Sequence, residues 1–208
     1  MSDNDSRPPR RPALRSSGEL EAYAGSSDPA QLSEAAHETA SALVGTGRAA
    51  HDPQVTAKLV NLVDELGIST LAELWADRPA TSLPGALWRL YTLREWVRRD
   101  PVGAARDYEA GRGSAEVAHA VAGSAEPPTP EALQQLTDQI LAGVFEGDLA
   151  VALERASAFC RVVSVGRAHR VDDKDSTAST QTTRAAALLT TASDLSRCAA
   201  LWRAGKLD

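Results

Sequence analysis

The sequence predicts an all-α fold, a compact multi-helix bundle with a disordered N-terminal tail and a C-terminal amphipathic helix. Three observations predict it. Runs of β-branched residues are nearly absent, which argues against sheets. The pairs Asp28-Pro29, Asp52-Pro53, Asp100-Pro101 and Thr129-Pro130 each place a capping oxygen directly before a proline. The oxygen takes an orphan backbone N–H at a helix start, and proline has no N–H to satisfy there. Between these marks, apolar residues recur at three- and four-residue intervals, the period of a buried helix face.

Residues 1–27 are rich in Ser, Pro, Arg and Gly and carry no apolar period, so they read as a disordered tail. The first helix is expected over 29–44, with Gln31 completing a capping box from Asp28. The second is expected over 53–66, with Val55, Leu59, Leu62, Val63 and Leu66 on one face. A short helix over 71–76 takes Thr70 and Glu73 as its capping box. The helix over 83–99 is the most apolar all round, and helices over 101–110 and 115–122 follow. Residues 123–128, GSAEPP, form a linker. Helices over 130–145 and 149–165 each keep an apolar face in register. The helical domain thus spans 28–166, and 167–180 is a polar, flexible linker.

A last helix over 181–204 closes the chain. Its apolar positions Ala185, Leu188, Ala192, Leu195, Ala199 and Trp202 are spaced as a short heptad seam. Such a seam docks on the bundle or pairs with a second copy, which makes Leu188, Leu195 and Trp202 candidate partner contacts and a homo-oligomer one expected assembly. The centre of the core is expected within 59–101, which holds Trp75, Trp88, Trp96 and Tyr91 in a chain only 4% aromatic.

Composition narrows the function. Of 22 basic residues 19 are Arg and 3 are Lys, and with the alanine excess this points to a high-GC bacterial genome. The net charge of −6 disfavours a dedicated nucleic-acid binder, whose domains carry a basic face. No apolar signal segment and no membrane-length run is visible, so the expected location is the cytoplasm, away from membranes. Cys160 and Cys198 fall in predicted helices and read as small core residues, not a disulfide. Walker A, GxGxxG, GxSxG, HExxH and CxxC patterns are missing, so no cofactor is expected. The polar run Asp172, Asp173, Lys174, Asp175 lacks EF-hand spacing and reads as a solvated loop.

Three constellations remain. Arg89, Arg94, Arg98 and Arg99 interleave with Trp88, Tyr91 and Trp96 in the helix over 83–99. Arginine among aromatics is the chemistry of a protein hot spot. It competes with a plain amphipathic helix whose aromatics are core and whose arginines are solvated. Arg7, Arg10 and Arg11 in the tail, joined by the same helical arginines, are the candidate nucleic-acid contacts. Glu34 with His37, and Glu116 with His119, are Glu-x-x-His pairs of the kind that build di-metal carboxylate sites in helical oxidoreductases. The segment 67–69 between the second and third helices has a helix-turn-helix outline, but its would-be reading helix is acidic and would be repelled by phosphates.

The stretches LVDELGISTLAELWADRPATSLPGALWRLYTLREWVRRDP and GDLAVALERASAFCRVVSVGRA resemble a set of uncharacterised actinobacterial helical proteins of about this length. The resemblance covers roughly 52–166. It implies a bacterial cytoplasmic origin and carries no activity and no catalytic residue to this chain. The residues point to association, a non-enzymatic interaction or accessory protein with an unidentified protein partner. A nucleic-acid-associated factor is the alternative, and the di-metal oxidoreductase a distant third.

Overall fold

The computed structural model describes residues 28–170 and 178–208. The tail over 1–27, with its expected disorder and its Arg7, Arg10 and Arg11, lies outside the described residues, and so does the polar run Asp172–Asp175. Among the described residues there are ten helices and no strand. The expected all-α class is the observed one.

Helix α1, Pro29–Ala50, starts where expected: the Asp28 carboxylate accepts the Ala30 N–H at 3.0 Å. It runs beyond the expected stop near residue 44. Gly47 lies inside it because a Cβ there would sit 2.7 Å from the Cβ of Phe145, so glycine here permits close packing rather than ending a helix. The stop comes at His51, in the left-handed region at φ 48°.

The single helix expected over 53–66 is two, α2 (Pro53–Val60) and α3 (Leu62–Leu66), broken at Asn61. Long-range bonds hold the break open. The Tyr91 hydroxyl donates to the Leu59 carbonyl at 2.6 Å, and the Arg94 guanidinium donates to Asn61 Oδ1 at 2.7 Å. Helix α4, Ile68–Trp75, begins directly after Gly67 at φ 82° and has no side-chain cap. The expected Thr70–Glu73 capping box is not made, because the Thr70 hydroxyl turns back to the Leu66 carbonyl at 2.8 Å. Local sequence missed this start because glycine alone makes the turn between α3 and α4.

Helix α5, Leu83–Arg99, is capped by the Ser82 hydroxyl on the Gly85 N–H, and its Leu83 N–H donates to the Asp208 carbonyl at 2.6 Å. Helices α6 (Pro101–Arg112), α7 (Glu116–Ala122), α8 (Pro130–Glu146) and α9 (Leu149–His169) follow. Asp100, Thr129 and Asp148 cap α6, α8 and α9 through backbone N–H groups one turn in. The last helix, α10, covers Ala178–Arg203.

Helix α9 is the hub. It packs against α6, α7, α8 and α10, and its buried residues run almost around its circumference. Its crossing with α6 is a backbone-to-backbone contact. A Cβ on Gly166 would lie 1.7 Å from the Asp107 carbonyl oxygen, and one on Gly111 would lie 2.0 Å from that of Val162. Only a glycine at each crossing point allows the approach.

The seam of α10 lies on this hub. Ala185, Ala192, Leu195 and Ala199 are buried, and Leu188 and Trp202 pack partly buried against the core. The Ser157 hydroxyl donates to the Ala192 carbonyl at 2.7 Å and the Ser164 hydroxyl to the Ala185 carbonyl at 2.8 Å. Of the two expected uses of the seam, the chain makes the intramolecular one. Trp202 is also covered by the Arg48 guanidinium, 5.0 Å above its ring. Leu188, Leu195 and Trp202 are therefore spent inside the molecule and do not form an exposed docking stripe.

Candidate functional site

The arginine and aromatic cluster of α5 is an internal fastening. Arg94 is only 2% exposed. Its Nε donates to Asp138 of α8 at 2.5 Å and its Nη2 to Asn61. The expectation that Arg94 faces a partner is corrected by this burial: its Nε and Nη2 are turned to fixed acceptors inside the molecule. Arg89 donates to the Gly85 carbonyl at 3.0 Å and pairs with Asp194 of α10 at 3.3 Å. Arg98 pairs with Asp64 of α3 at 2.9 Å, and Arg99 with Glu95 of its own helix at 2.7 Å. Trp88 and Trp96 pack partly buried on the core, and the Arg167 guanidinium covers Trp96 at 5.1 Å. The spacing that reads as a hot spot is a helix tying α3, α8 and α10 together.

The two Glu-x-x-His pairs do not meet. Glu34 is exposed, and the His37 ring bonds the Ser33 carbonyl of its own helix at 2.8 Å. Glu116 points to solvent at the start of α7, while both nitrogens of His119 are committed. Among the described residues no three His, Cys, Asp or Glu side chains converge as metal ligands do. The di-metal expectation is corrected on that geometry.

His119 instead belongs to a chain of polar contacts. Its Nε2 lies 2.9 Å from Glu126, which accepts only, so Nε2 carries the proton and Nδ1 accepts from the Tyr108 hydroxyl at 3.0 Å. Arg112 reaches the same carboxylate at 3.2 Å. The His119 and Arg112 contacts hold the Glu126 carboxyl below its usual range. The order Tyr-His-Glu has the outline of a catalytic relay, but the Tyr108 side chain is fully buried, and burial pushes its hydroxyl up to about 12. A nucleophile needs access and a lowered pKa, so the contacts serve to pin the 123–129 connection onto α6 and α7.

The cysteines are equally inert. Burial pushes the Cys160 thiol up to about 12 and that of Cys198 up to about 11. Neither supplies thiolate at neutral pH.

Two surface features remain, and sequence reading did not single out either. The first is an apolar groove over α9, bordered by α7 on one side and α10 on the other. Val117 is 80% exposed, with Val121 and Leu189 about half exposed beside it. Ala118, Ala158 and Val165 form its floor. Arg161 and Glu116 border the groove, and neither has an ion-pair partner among the described residues. A short glycine-flanked helix gives little warning of a bare face, because seven residues, only two of them valine, are too few to set an apolar period.

The second is a polar cleft of about 510 Å³ where the start of α6, the end of α9 and the start of α10 meet. Arg106, Arg167, Arg170 and Arg184 line it. Its base is Asp107, 6% exposed, which accepts from Arg167 at 2.8 Å and is also bonded by Arg170. The sequence signal was faint: the four arginines come from three separate segments, brought together by the Gly111–Gly166 crossing of α6 with α9 and by the packing of α10 on α9.

Of the residues expected to meet nucleic acid, Arg89, Arg94 and Arg98 are paired within the molecule, Arg94 alone being buried, and Arg7, Arg10 and Arg11 are outside the described residues. Among the described residues no helix is long and apolar enough to cross a membrane. Compared with known proteins, the chain matches no family model, no curated protein and no solved structure.

Proposed function

We propose that this chain works by association rather than by catalysis, as a helical interaction protein whose contact face is the groove of α7, α9 and α10, docked on a second copy of the chain. The observation that carries the reading is the bare valine face: Val117 stands 80% exposed, with Val121 and Leu189 about half exposed beside it. Contiguous exposed apolar surface of this kind marks an interaction site.

Charge favours a second copy as the occupant. In an isologous interface each patch meets its own image. A face with one unpaired cation, Arg161, and one unpaired anion, Glu116, is complementary to itself, and each copy gives the other one ion pair. The buried, high-pKa cysteines and the buried Tyr108 support binding over catalysis, since neither type of group is poised to attack a substrate. The resemblance of residues 52–166 to actinobacterial helical proteins supports a bacterial cytoplasmic setting for this role.

Reversing the charges tests the reading. Arg161→Glu alone, and Glu116→Arg alone, each set like charges together twice per dimer and weaken self-association by about thirtyfold, taking roughly 1 kcal/mol per exposed contact. The double variant restores it. Sedimentation velocity reads all three, and single variants that associate as the wild type does would refute the proposed face.

A further inference from the structure

We infer that the arginine cleft between α6, α9 and α10 is a binding site for a small phosphate-bearing anion, with a phosphoryl or diphosphoryl group held between Arg106 and Arg184. The inference is independent of the association face, since the cleft and the groove share no lining residue.

The cleft is built for an anion. Four guanidinium groups face one space with two carboxylates, Asp100 and Asp107. Both carboxylates are occupied. Asp100 accepts the Gly103 N–H and caps α6, and Asp107 is buried beneath Arg167 and Arg170. Arg106 and Arg184 have no acidic partner among the described residues and remain exposed on the rim. The cleft therefore keeps an excess of positive charge that nothing described in the chain neutralises. Like charges held together cost free energy, and an anion between them removes that cost.

The arginines at the base are also fixed in advance. Arg167 is clamped between the Asp107 carboxylate and the face of Trp96, and Arg170 is tied to the other carboxylate oxygen. Asp107 is held by the α6–α9 backbone contact at Gly111 and Gly166. Side chains ordered before the ligand arrives lose little entropy on binding it. Asp107 is thus a positioning residue: its carboxylate aims two forks, and planar forks match phosphate oxygens in pairs.

Size and lining choose the ligand class. A volume of about 510 Å³ fits a small molecule. Val102 is the only apolar side chain of size around it, while the Thr180 hydroxyl and the Gln181 amide add polar groups. Such a lining disfavours apolar ligands. Positive walls contributed by two different helices suit an anion with charge at both ends, as a diphosphate has.

Isothermal titration calorimetry of the full chain with inorganic pyrophosphate at physiological ionic strength tests this. The expected result is saturable one-to-one binding. Arg106→Gln and Arg184→Gln, both exposed and unpaired, should each weaken it by at least about tenfold while leaving the melting curve unchanged, because each removes a charge-assisted contact. Asp107→Asn should weaken binding although it removes a negative charge, since Arg167 and Arg170 lose their aim; tighter binding would contradict the positioning role. Absence of saturable binding, or binding that the two arginine variants leave intact, would overturn the site. Tight binding of a single-stranded oligonucleotide with no binding of pyrophosphate would overturn it in favour of a nucleic-acid surface.

Discussion

The Arg94 guanidinium is a charge kept in the core by geometry. Its Nε and Nη2 are satisfied by Asp138 and Asn61, while Nη1 is buried without a partner. Half of Asp138 is in water, so the pair is only half desolvated. Arg94→Ala leaves a void and an orphaned Asn61 at the α2–α3 break and costs about 3 kcal/mol, at the low end for breaking a buried pair. Arg94→Met keeps the volume and costs about 1 kcal/mol, because Asp138 is free to hydrate. Chemical denaturation of both variants checks the difference, and equal losses would show that charge rather than packing dominates. The buried tyrosines give a pH signature at the same scale. Burial holds the Tyr91 and Tyr108 hydroxyls protonated above the ordinary value of 10, that of Tyr108 up to about 12. A raised folded pKa gives stability that is complete below pH 10 and is lost as pH rises from 10 through 12. Alkaline titration followed by tyrosinate absorbance should show both ionising together with loss of helical circular dichroism. Ionisation of either near pH 10 in a still helical chain would contradict its burial.

Helix α10 gives the clearest test at the level of elements. Its small-residue face covers α9, and its backbone carbonyls at Ala185 and Ala192 take the Ser164 and Ser157 hydroxyls. A chain ending at Arg170 exposes that face of α9 and leaves both serines to water. It is expected to lose cooperative thermal unfolding, whereas a truncated chain that melts sharply would make α10 an appendage. The spacing of Ala185 to Trp202 showed that a face existed but not where it would lie, because a heptad seam is the same pattern in cis and in trans. The Asp-Pro and Thr-Pro starts were legible for the opposite reason: a cap and its proline act within one turn. The break at Asn61 was not legible, since the bonds that hold it come from Tyr91 and Arg94, some thirty residues away.

Across the whole molecule the same division holds. Local rules located most helices of the bundle, and burial followed from their apolar faces. The surfaces left over were set by how the helices pack. Arg89, Arg94 and Arg98 lie on a helix that carries both arginine and aromatic residues, yet only Arg94 is buried, and all three pair with acceptors that α3, α8 and α10 supply. Arg106, Arg167, Arg170 and Arg184 are scattered in sequence, yet the α6–α9 glycine crossing and the docking of α10 on α9 gather them. Val117, in a helix to which the sequence assigned no face, is bare. Val117, Val121 and Leu189 gather exposed apolar surface at one groove, and the proposed function sets a second copy over it. Sedimentation equilibrium across a range of concentrations measures this directly. The account predicts a reversible dimer of the 22.0 kDa chain, reduced to a folded monomer by Val117→Asp. A single 22.0 kDa species at every concentration would contradict it.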